Sequence, residues 1–236
     1  MRALALAALD LLFPAVCPLC DTRLGAGRRD PVCGACWESF ERLTPPFCAV
    51  CGAPTPSPGA STPCTTCRQT APAFDYARAA ASYGGAVRDA VHALKFGGRR
   101  SLARPLGDLV YETCGDALSD APEALVPVPL GRARERARGF NQAALLAERL
   151  GERLGVRVRP RWLVRLRATA PQSDLTAAER HANVAGAFAA APAVAGRHVV
   201  LVDDVITTGA TVGDGARALH MAGARRVGVL AVARVL

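Results

Sequence analysis

The pattern of apolar and polar positions changes near residue 70. Beyond that point, short apolar runs alternate with stretches in which apolar residues recur every three or four positions. The runs predict strands and the stretches predict helices. The predicted strands are Tyr76–Tyr83, Ala124–Pro129, Trp162–Leu166, Val199–Val202 and Val227–Val232. The predicted helices are Ala86–Phe96, Leu102–Cys114, Phe140–Leu154, Thr176–Asn183 and Val212–Met221.

Some of the predicted strands are apolar without interruption, which means that both of their faces must be buried. Val199–Val202 and Val227–Val232 show this most clearly. Strands of this kind, separated by helices, are typical of a parallel sheet that is covered on both faces. We therefore predict that residues 71–236 form an α/β domain with an open, mainly parallel sheet flanked by helices.

Residues 17–70 have a different character, because they contain eight of the nine cysteines in four C-x-x-C pairs. The motif C-x2-C-x12-C-x2-C occurs twice, with the second copy 31 residues after the first. A C-x-x-C turn places two thiolates on one side of a knuckle, and two knuckles complete a tetrahedral S4 site that suits zinc. The predicted zinc ligands are Cys17, Cys20, Cys33, Cys36, Cys48, Cys51, Cys64 and Cys67.

Disulfides or a redox-active C-x-x-C are the alternative interpretation of these cysteines. Four evenly repeated pairs without a thioredoxin-like strand–helix context favour two structural zincs instead. The repeat favours sequential pairing of the knuckles, although an interleaved arrangement would have the same sequence. Because this segment is poor in apolar residues, zinc binding should supply most of its folding free energy.

The first sixteen residues start with an apolar run. Met1–Val16 resembles the start of a secretory signal, but Asp10 interrupts the run and further apolar residues follow it. The spacing of the leucines also suits a short amphipathic helix. A thiolate-rich zinc module fits a reducing compartment, so we expect an N-terminal helix over residues 1–16 and a cytoplasmic protein.

Charge and composition narrow the class of partner. Half of the residues are hydrophobic, too many for a disordered chain, and no apolar run is long enough to span a membrane. The formal charge is +9, of which residues 1–70 contribute only +1 and residues 71–236 contribute +8. A base excess confined to one region favours an anionic partner, either the phosphates of a small ligand or a nucleic acid. Lys95 is the single lysine among 28 arginines, which marks it for a specific role.

The segment that carries the chemistry is Val199–Thr211. An apolar strand ends in Asp203 and Asp204, and a hydroxyl-rich loop then leads into a helix. Ligands of open parallel sheets bind at the carboxyl ends of the strands, and a helix N-terminus suits a phosphate. Aspartates can accept hydrogen bonds from sugar hydroxyls, so the combination predicts a ribose-5-phosphate site. The predicted phosphate-binding residues of the loop are Thr207, Thr208, Gly209, Ala210 and Thr211.

This segment resembles the signature for phosphoribosyl pyrophosphate (PRPP) in type I phosphoribosyltransferases. Two further features narrow the resemblance, namely Arg138-Gly-Phe-Asn-Gln142 after an arginine-rich loop and the paired knuckles at the front. Together they are similar to the ComF family, which joins a double zinc ribbon to a phosphoribosyltransferase domain. Some members of that family serve DNA uptake in naturally competent bacteria. The resemblance implies a double zinc ribbon over residues 17–70 and a type I phosphoribosyltransferase fold over residues 71–236.

The resemblance also implies roles for individual side chains. Asp203 and Asp204 would be the catalytic pair, and Mg²⁺ would accompany PRPP. Cations aimed at the leaving pyrophosphate would stabilise its charge, and the candidates are Arg134, Arg138 and Lys95. A flap that closes over the substrate would lie within Ala168–Asn183 or next to it, and its candidate residues are Arg167, Gln172, Arg180 and Asn183.

Two functions fit these features. The first is Mg²⁺-dependent transfer of a phosphoribosyl group from PRPP to an unidentified nucleophile. The second is a non-catalytic adaptor that binds single-stranded DNA or nucleotide phosphates and docks a helicase or uptake partner through the zinc ribbons. Against base stacking by such an adaptor, only 5% of the residues are aromatic and few of them lie near the arginines in sequence.

Overall fold

The computed structural model describes residues 15–25, 30–55, 62–118, 120–167 and 186–236. The predicted N-terminal helix and the helix predicted over Thr176–Asn183 therefore lie largely or wholly outside the described residues. The helices are α1 Gly34–Glu38, α2 Thr65–Gln69, α3 Gly85–Lys95, α4 Ala103–Thr113, α5 Arg132–Arg138, α6 Gln142–Leu154 and α7 Ala210–Met221. The strands are β1 Tyr76–Ser82, β2 Ala124–Pro127, β3 Leu163–Arg165, β4 Phe188–Ala190, β5 His198–Ile206 and β6 Arg226–Arg234.

Four strands form a parallel sheet in the order β1-β6-β5-β2, as the apolar runs predict. Residues of β5 alternate between its two faces, with Val200 and Val202 in one buried cluster and Val199 and Leu201 in the other. The first cluster also contains the apolar sides of α3, α4 and α6, and the second contains those of α7, β3 and β4. Helices therefore cover both faces, which explains why the central strands have no polar side.

Three local features differ from the sequence prediction. Trp162–Leu166 contributes strand β3, but β3 pairs antiparallel with β4 outside the main sheet. The arginine-rich segment before Gly139 is helix α5 rather than a loop. Helix α6 starts at Gln142, because the side chain of Asn141 accepts a hydrogen bond from the backbone N–H of Ala143 and caps it.

The zinc-ribbon segment lies against the edge and both faces of the sheet. Between the two cysteine clusters, the chain passes β1 in the antiparallel direction, with a bridge between Arg42 and Ala81. Leu43 donates to the carbonyl of Ala80 at 2.9 Å, and Ser82 donates to the carbonyl of Glu41 at 2.9 Å. This contact covers the free edge of β1. Within the described residues, no helix is long and apolar enough to cross a membrane.

Candidate functional site: two cysteine clusters and a phosphate-loop cavity

The eight paired cysteines form two separate clusters, each made by one copy of the repeat. Cys17, Cys20, Cys33 and Cys36 form the first, and Cys48, Cys51, Cys64 and Cys67 form the second. The Sγ atoms within each cluster lie within 4.8 Å of one another. The structure thus pairs the knuckles sequentially.

The spacing of the sulfur atoms fits tetrahedral zinc. Two thiolates bound at about 2.3 Å to one tetrahedral ion lie about 3.8 Å apart. The Sγ atoms of Cys20 and Cys33 are 3.6 Å apart, and those of Cys51 and Cys64 are 3.8 Å apart. None of the cysteines forms a disulfide within the described residues. Four thiolates leave no open coordination position, which makes both zincs structural.

A cavity of ≈ 380 Å³ opens at the carboxyl ends of β5 and β2, where an open α/β sheet binds its ligands. It brings together most of the predicted site residues. Those that line it are Lys95, Arg134, Asp203, Asp204, Thr207, Gly209, Ala210 and Thr211. A cavity of this size is in the range of small-molecule sites.

The two adjacent aspartates have different environments. Lys95 Nζ lies 2.9 Å from Asp204 Oδ1, and the side chains are 18% and 6% exposed. Burial opposes the charge on Lys95, but the attraction of Asp204 outweighs it and raises the pKa of Lys95. Burial and the neighbouring Asp204 raise the pKa of Asp203 to about 7. Asp203 is thus poised to gain or lose a proton near neutrality, whereas Asp204 forms an ion pair with Lys95.

Residues Thr207–Thr211, named the phosphate loop after their predicted role, line two different cavities. Gly209 has a φ of +78° at the start of α7, a left-handed conformation that favours glycine. The hydroxyl of Thr208 accepts a hydrogen bond from the backbone N–H of Ala210 at 3.3 Å, which tightens the turn. Thr208 does not line the phosphate-loop cavity but lines a second cleft of ≈ 690 Å³, which Cys51, Cys64 and Cys67 also line. The second zinc cluster therefore stands behind the phosphate loop.

The segment Arg138-Gly-Phe-Asn-Gln142 connects this cavity to the core. Gly139 ends α5 with a φ of +77°, and Phe140 is buried beneath the guanidinium of Arg100. Asn141 Nδ2 donates to the carbonyl of Val128 at 3.0 Å, which ties the start of α6 to the loop after β2. The side chain of Arg138 donates to that of Gln142, which is buried and lines the cavity. Each residue of the motif thus forms a turn, a buried contact or a hydrogen bond that helps to position the wall of the cavity.

One of the four flap candidates lies within the described residues. Arg167 is exposed two residues after the end of β3, while Gln172, Arg180 and Asn183 lie outside the described residues. Strands β3 and β4 precede and follow the predicted flap, and they pair with each other. Asp214 of α7 is buried and accepts hydrogen bonds from the backbone N–H groups of Gly186 and Ala187, at 3.0 and 2.9 Å. Sequence reasoning missed this anchor, because a carboxylate in a helix gives no signal of a distant backbone partner.

Arg165 and Phe96 are among the cavity residues that the sequence did not predict. Arg165 on β3 lines it, and its guanidinium lies over the ring of Phe188 at 5.2 Å. Burial and the repulsion of Arg134 lower the pKa of Arg165. Phe96 also lines the cavity, at the end of α3 and next to the predicted Lys95. The sequence signal for Phe96 was its place after the single lysine, but an apolar residue on a helix is more often part of a core.

Comparisons with known proteins agree with the folds predicted for both parts of the chain. Residues 8–73 match the double zinc ribbon domain, and residues 137–235 match the phosphoribosyl transferase domain. The DNA utilization protein YhgH of Escherichia coli is 35% identical over 233 residues, covering 96% of this chain and 100% of the relative.

Two competence proteins are also similar. Competence protein F of Haemophilus influenzae is 30% identical over 87% of this chain and 91% of its own length. Competence protein ComFC of Bacillus subtilis is 27% identical over 86% of this chain and 88% of its own length. With both domains matched and the relatives covered nearly end to end, the chain belongs to the ComF family, in which a double zinc ribbon is joined to a phosphoribosyltransferase domain.

Proposed function

We propose that this protein binds PRPP·Mg²⁺ in the cavity at the carboxyl end of β5 and transfers its phosphoribosyl group to a nucleophile. The observation that carries the proposal is the convergence of the Thr207–Thr211 loop, the Asp203–Asp204 pair and two cations, Lys95 and Arg134, on one cavity. A ribose that carries phosphates at both ends needs a loop for its 5′-phosphate, acceptors for its hydroxyls and cations for its pyrophosphate. The names of the relatives, which refer to DNA utilization and competence, are compatible with a nucleotide-like ligand.

Each part of PRPP has a complementary group. The 5′-phosphate lies at the N-terminus of α7, where Thr207 and Thr211 line the cavity and the first backbone N–H groups of the helix are available to an anion. The ribose hydroxyls donate to the aspartates, and Asp204 Oδ2 accepts no hydrogen bond from the described residues. The pyrophosphate lies towards the loop after β2, within reach of Arg134.

The transfer step is a substitution at C1′ of the ribose. The bond from C1′ to the pyrophosphate oxygen breaks, and its electron pair leaves with the pyrophosphate as C1′ gains oxocarbenium character. The nucleophile then forms the new bond to C1′, and its proton passes to the carboxylate of Asp203. A carboxyl with a pKa of about 7 is well matched to that transfer. Arg134 and Arg138 would stabilise the charge of the leaving pyrophosphate, and Mg²⁺ bound to that group would supply further neutralisation.

Calorimetry with PRPP·Mg²⁺ tests the proposal. The variant Asp204→Asn should weaken binding about 10- to 100-fold, since it removes charge-assisted hydrogen bonds to the ribose. The matched control is Asp89→Asn, an exposed carboxylate on α3 that should leave binding unchanged. Absence of PRPP binding by the zinc-loaded wild-type protein, with ribose 5-phosphate also unbound, would refute the site.

A single-stranded DNA adaptor is the second candidate, and helix α5 favours it. This helix carries four arginines in seven residues, and Arg132 and Arg136 are exposed one turn apart. Exposed arginines on one helix face bind phosphates in a salt-dependent way. A helicase or uptake partner would then dock on the zinc ribbons, and both functions fit the cytoplasm, where thiolates stay reduced.

Salt-dependent DNA binding separates the two candidates. For the double variant Arg132→Gln and Arg136→Gln, the adaptor predicts a salt slope that is smaller by about 0.7 for each DNA phosphate that the helix no longer neutralises. The transferase predicts unchanged PRPP binding in the same variant, because neither side chain lines the cavity. An unchanged salt slope with oligothymidylate would exclude α5 as a DNA-binding surface.

A further inference from the structure

One wall of the phosphate-loop cavity is aromatic. Tyr83, His92 and Phe96 line it, and they come from the end of β1 and from α3. The hydroxyl of Tyr83 and Nε2 of His92 lie 3.1 Å apart, and the rings of His92 and Phe96 meet edge to face at 5.4 Å. The three rings thus form a connected group on the same cavity as the aspartates and the phosphate loop.

Phe96 is the apolar member of this group, and it is exposed to solvent. Its side chain is 72% exposed, although α3 buries its other apolar residues, such as Val91 and Leu94. Complete burial of a phenylalanine side chain is favourable, so a ring left open beside a binding cavity is available to a ligand with an apolar, flat surface.

The ring is also held in place. The guanidinium of Arg138 lies over it, 5.3 Å from the ring centre. Arg100, four residues further on, donates to the carbonyl of Gly139 at 3.0 Å and so ties this turn to the end of α5. A fixed aromatic ring beside an arginine is the arrangement on which nucleic-acid bases stack.

We propose that Phe96 is the stacking platform for a nucleobase attached to, or about to be attached to, the ribose phosphate in this cavity. The inference rests on the proposed function, because it takes the position of the ribose phosphate from that proposal. It narrows the unidentified nucleophile to a planar heteroaromatic ring. The apolar loop residues Val128, Pro129 and Leu130 line the same cavity and complete the surroundings that such a ring requires.

The probes are adenosine 5′-monophosphate and ribose 5-phosphate, which differ only in the base, each titrated by calorimetry into zinc-loaded protein. Stacking of one base is worth a factor of about ten or more in affinity. Wild-type protein should therefore bind the nucleotide at least tenfold more tightly than the sugar phosphate. Phe96→Ala should abolish that difference without changing the affinity for ribose 5-phosphate.

Two further variants control the experiment. Phe96→Trp should restore nucleotide affinity, with quenching of its added fluorescence when the base stacks. Met221→Ala removes a side chain that is 83% exposed at the end of α7 and should change neither affinity. Because Phe96 is exposed, its replacement by alanine should not prevent folding.

The outcomes distinguish this inference from the proposed function. If the wild type binds neither probe, the proposed function fails. If it binds ribose 5-phosphate but prefers the nucleotide no more than Phe96→Ala does, only the stacking platform is refuted. Loss of oligothymidylate binding in Phe96→Ala, with nucleotide affinity unchanged, would also overturn it and assign the ring to a DNA strand.

Discussion

The two zinc ribbons are copies of one motif, yet they pack on opposite faces of the sheet. Cys17 and Cys33 of the first belong to the apolar cluster beneath α3, α4 and α6. Val50 and Cys51 of the second pack on the cluster beneath α7, behind the phosphate loop. The second ribbon thus lines the cleft behind the proposed site, whereas no described residue of the first ribbon lines that cleft or the cavity itself.

A single position shows how the copies have adapted to these surroundings. Asp21 and Gly52 follow the second cysteine of the first knuckle in each copy, and both have a positive φ, of 56° and 69°. Their N–H groups make equivalent hydrogen bonds to the carbonyls of Cys17 and Cys48. Asp21 is exposed, but a Cβ at Gly52 would lie 2.2 Å from the carbonyl oxygen of Ala77 on β1. The knuckle needs the left-handed turn, and docking on β1 adds the requirement for glycine.

The largest expected effect comes from removing one zinc at a time. A structural zinc supplies about 10 kcal/mol or more of apparent folding free energy, so Cys20→Ser and Cys51→Ser should each lose one zinc and unfold one ribbon. Only Cys51→Ser should also weaken ribose 5-phosphate binding, by about tenfold, because it removes the wall behind the phosphate loop. Metal analysis and calorimetry measure both effects. Equal loss of binding in the two variants would contradict the asymmetry.

The second prediction exchanges the residues at the matched position. Gly52→Asp should lower the free energy of unfolding by about 3–5 kcal/mol, through left-handed strain and the clash with β1. Asp21→Gly should change it by less than about 1 kcal/mol, because the same turn is open to solvent. Denaturant unfolding of zinc-loaded protein measures both. If Gly52→Asp lowers the free energy of unfolding only slightly, the second ribbon does not pack closely against β1.

The third prediction concerns the ionisation of Asp203 in the cavity rather than the packing of either ribbon. Asp203 has a raised pKa in the folded protein, so its contribution to stability is present at low pH and is lost as the pH rises from about 4 to about 7. Asp203→Asn should therefore stabilise the protein by roughly 1–3 kcal/mol at pH 8, with little gain at pH 4.

Thermal unfolding across this pH range checks the prediction. Asp204→Asn is the control with the opposite sign, because it leaves Lys95 without its partner in a buried pair. A pH-independent effect of Asp203→Asn would show that this carboxyl has the same pKa in the folded and the unfolded protein. The same profile should persist in Cys20→Ser, where the second ribbon is intact.

The smallest effects concern one arginine at each ribbon. Arg234, at the end of β6, donates to the carbonyl of Cys51, and Arg234→Gln should cost about 1 kcal/mol. Arg104 on α4 lies 3.8 Å from Asp30, and both side chains are about half exposed, so Arg104→Gln should cost less than about 0.5 kcal/mol. Urea unfolding resolves the difference. A larger loss for Arg104→Gln would reverse the ranking of the two contacts.

Much of the fold was predictable because its signals are local. Val199–Val202 and Val227–Val232 are apolar on both faces, which requires a covered parallel sheet, and β5 and β6 are its two central strands. Strand β3 was correctly predicted as a strand but not its partner, because three residues carry no information about which edge they join. Helix α5 was missed since its arginines give no apolar periodicity.

The sequence by itself determined the chemistry of the groups, namely two sets of four thiolates and a strand that ends in Asp-Asp before a Thr-Thr-Gly-Ala-Thr loop. These are spacings within one turn or one strand, fixed by backbone geometry alone. Only the tertiary structure decided which knuckles share a zinc, which face each ribbon covers, and that Lys95 pairs with Asp204 beside an exposed Phe96. Those contacts join distant parts of the chain, and packing of the whole sheet, rather than any local pattern, selects them.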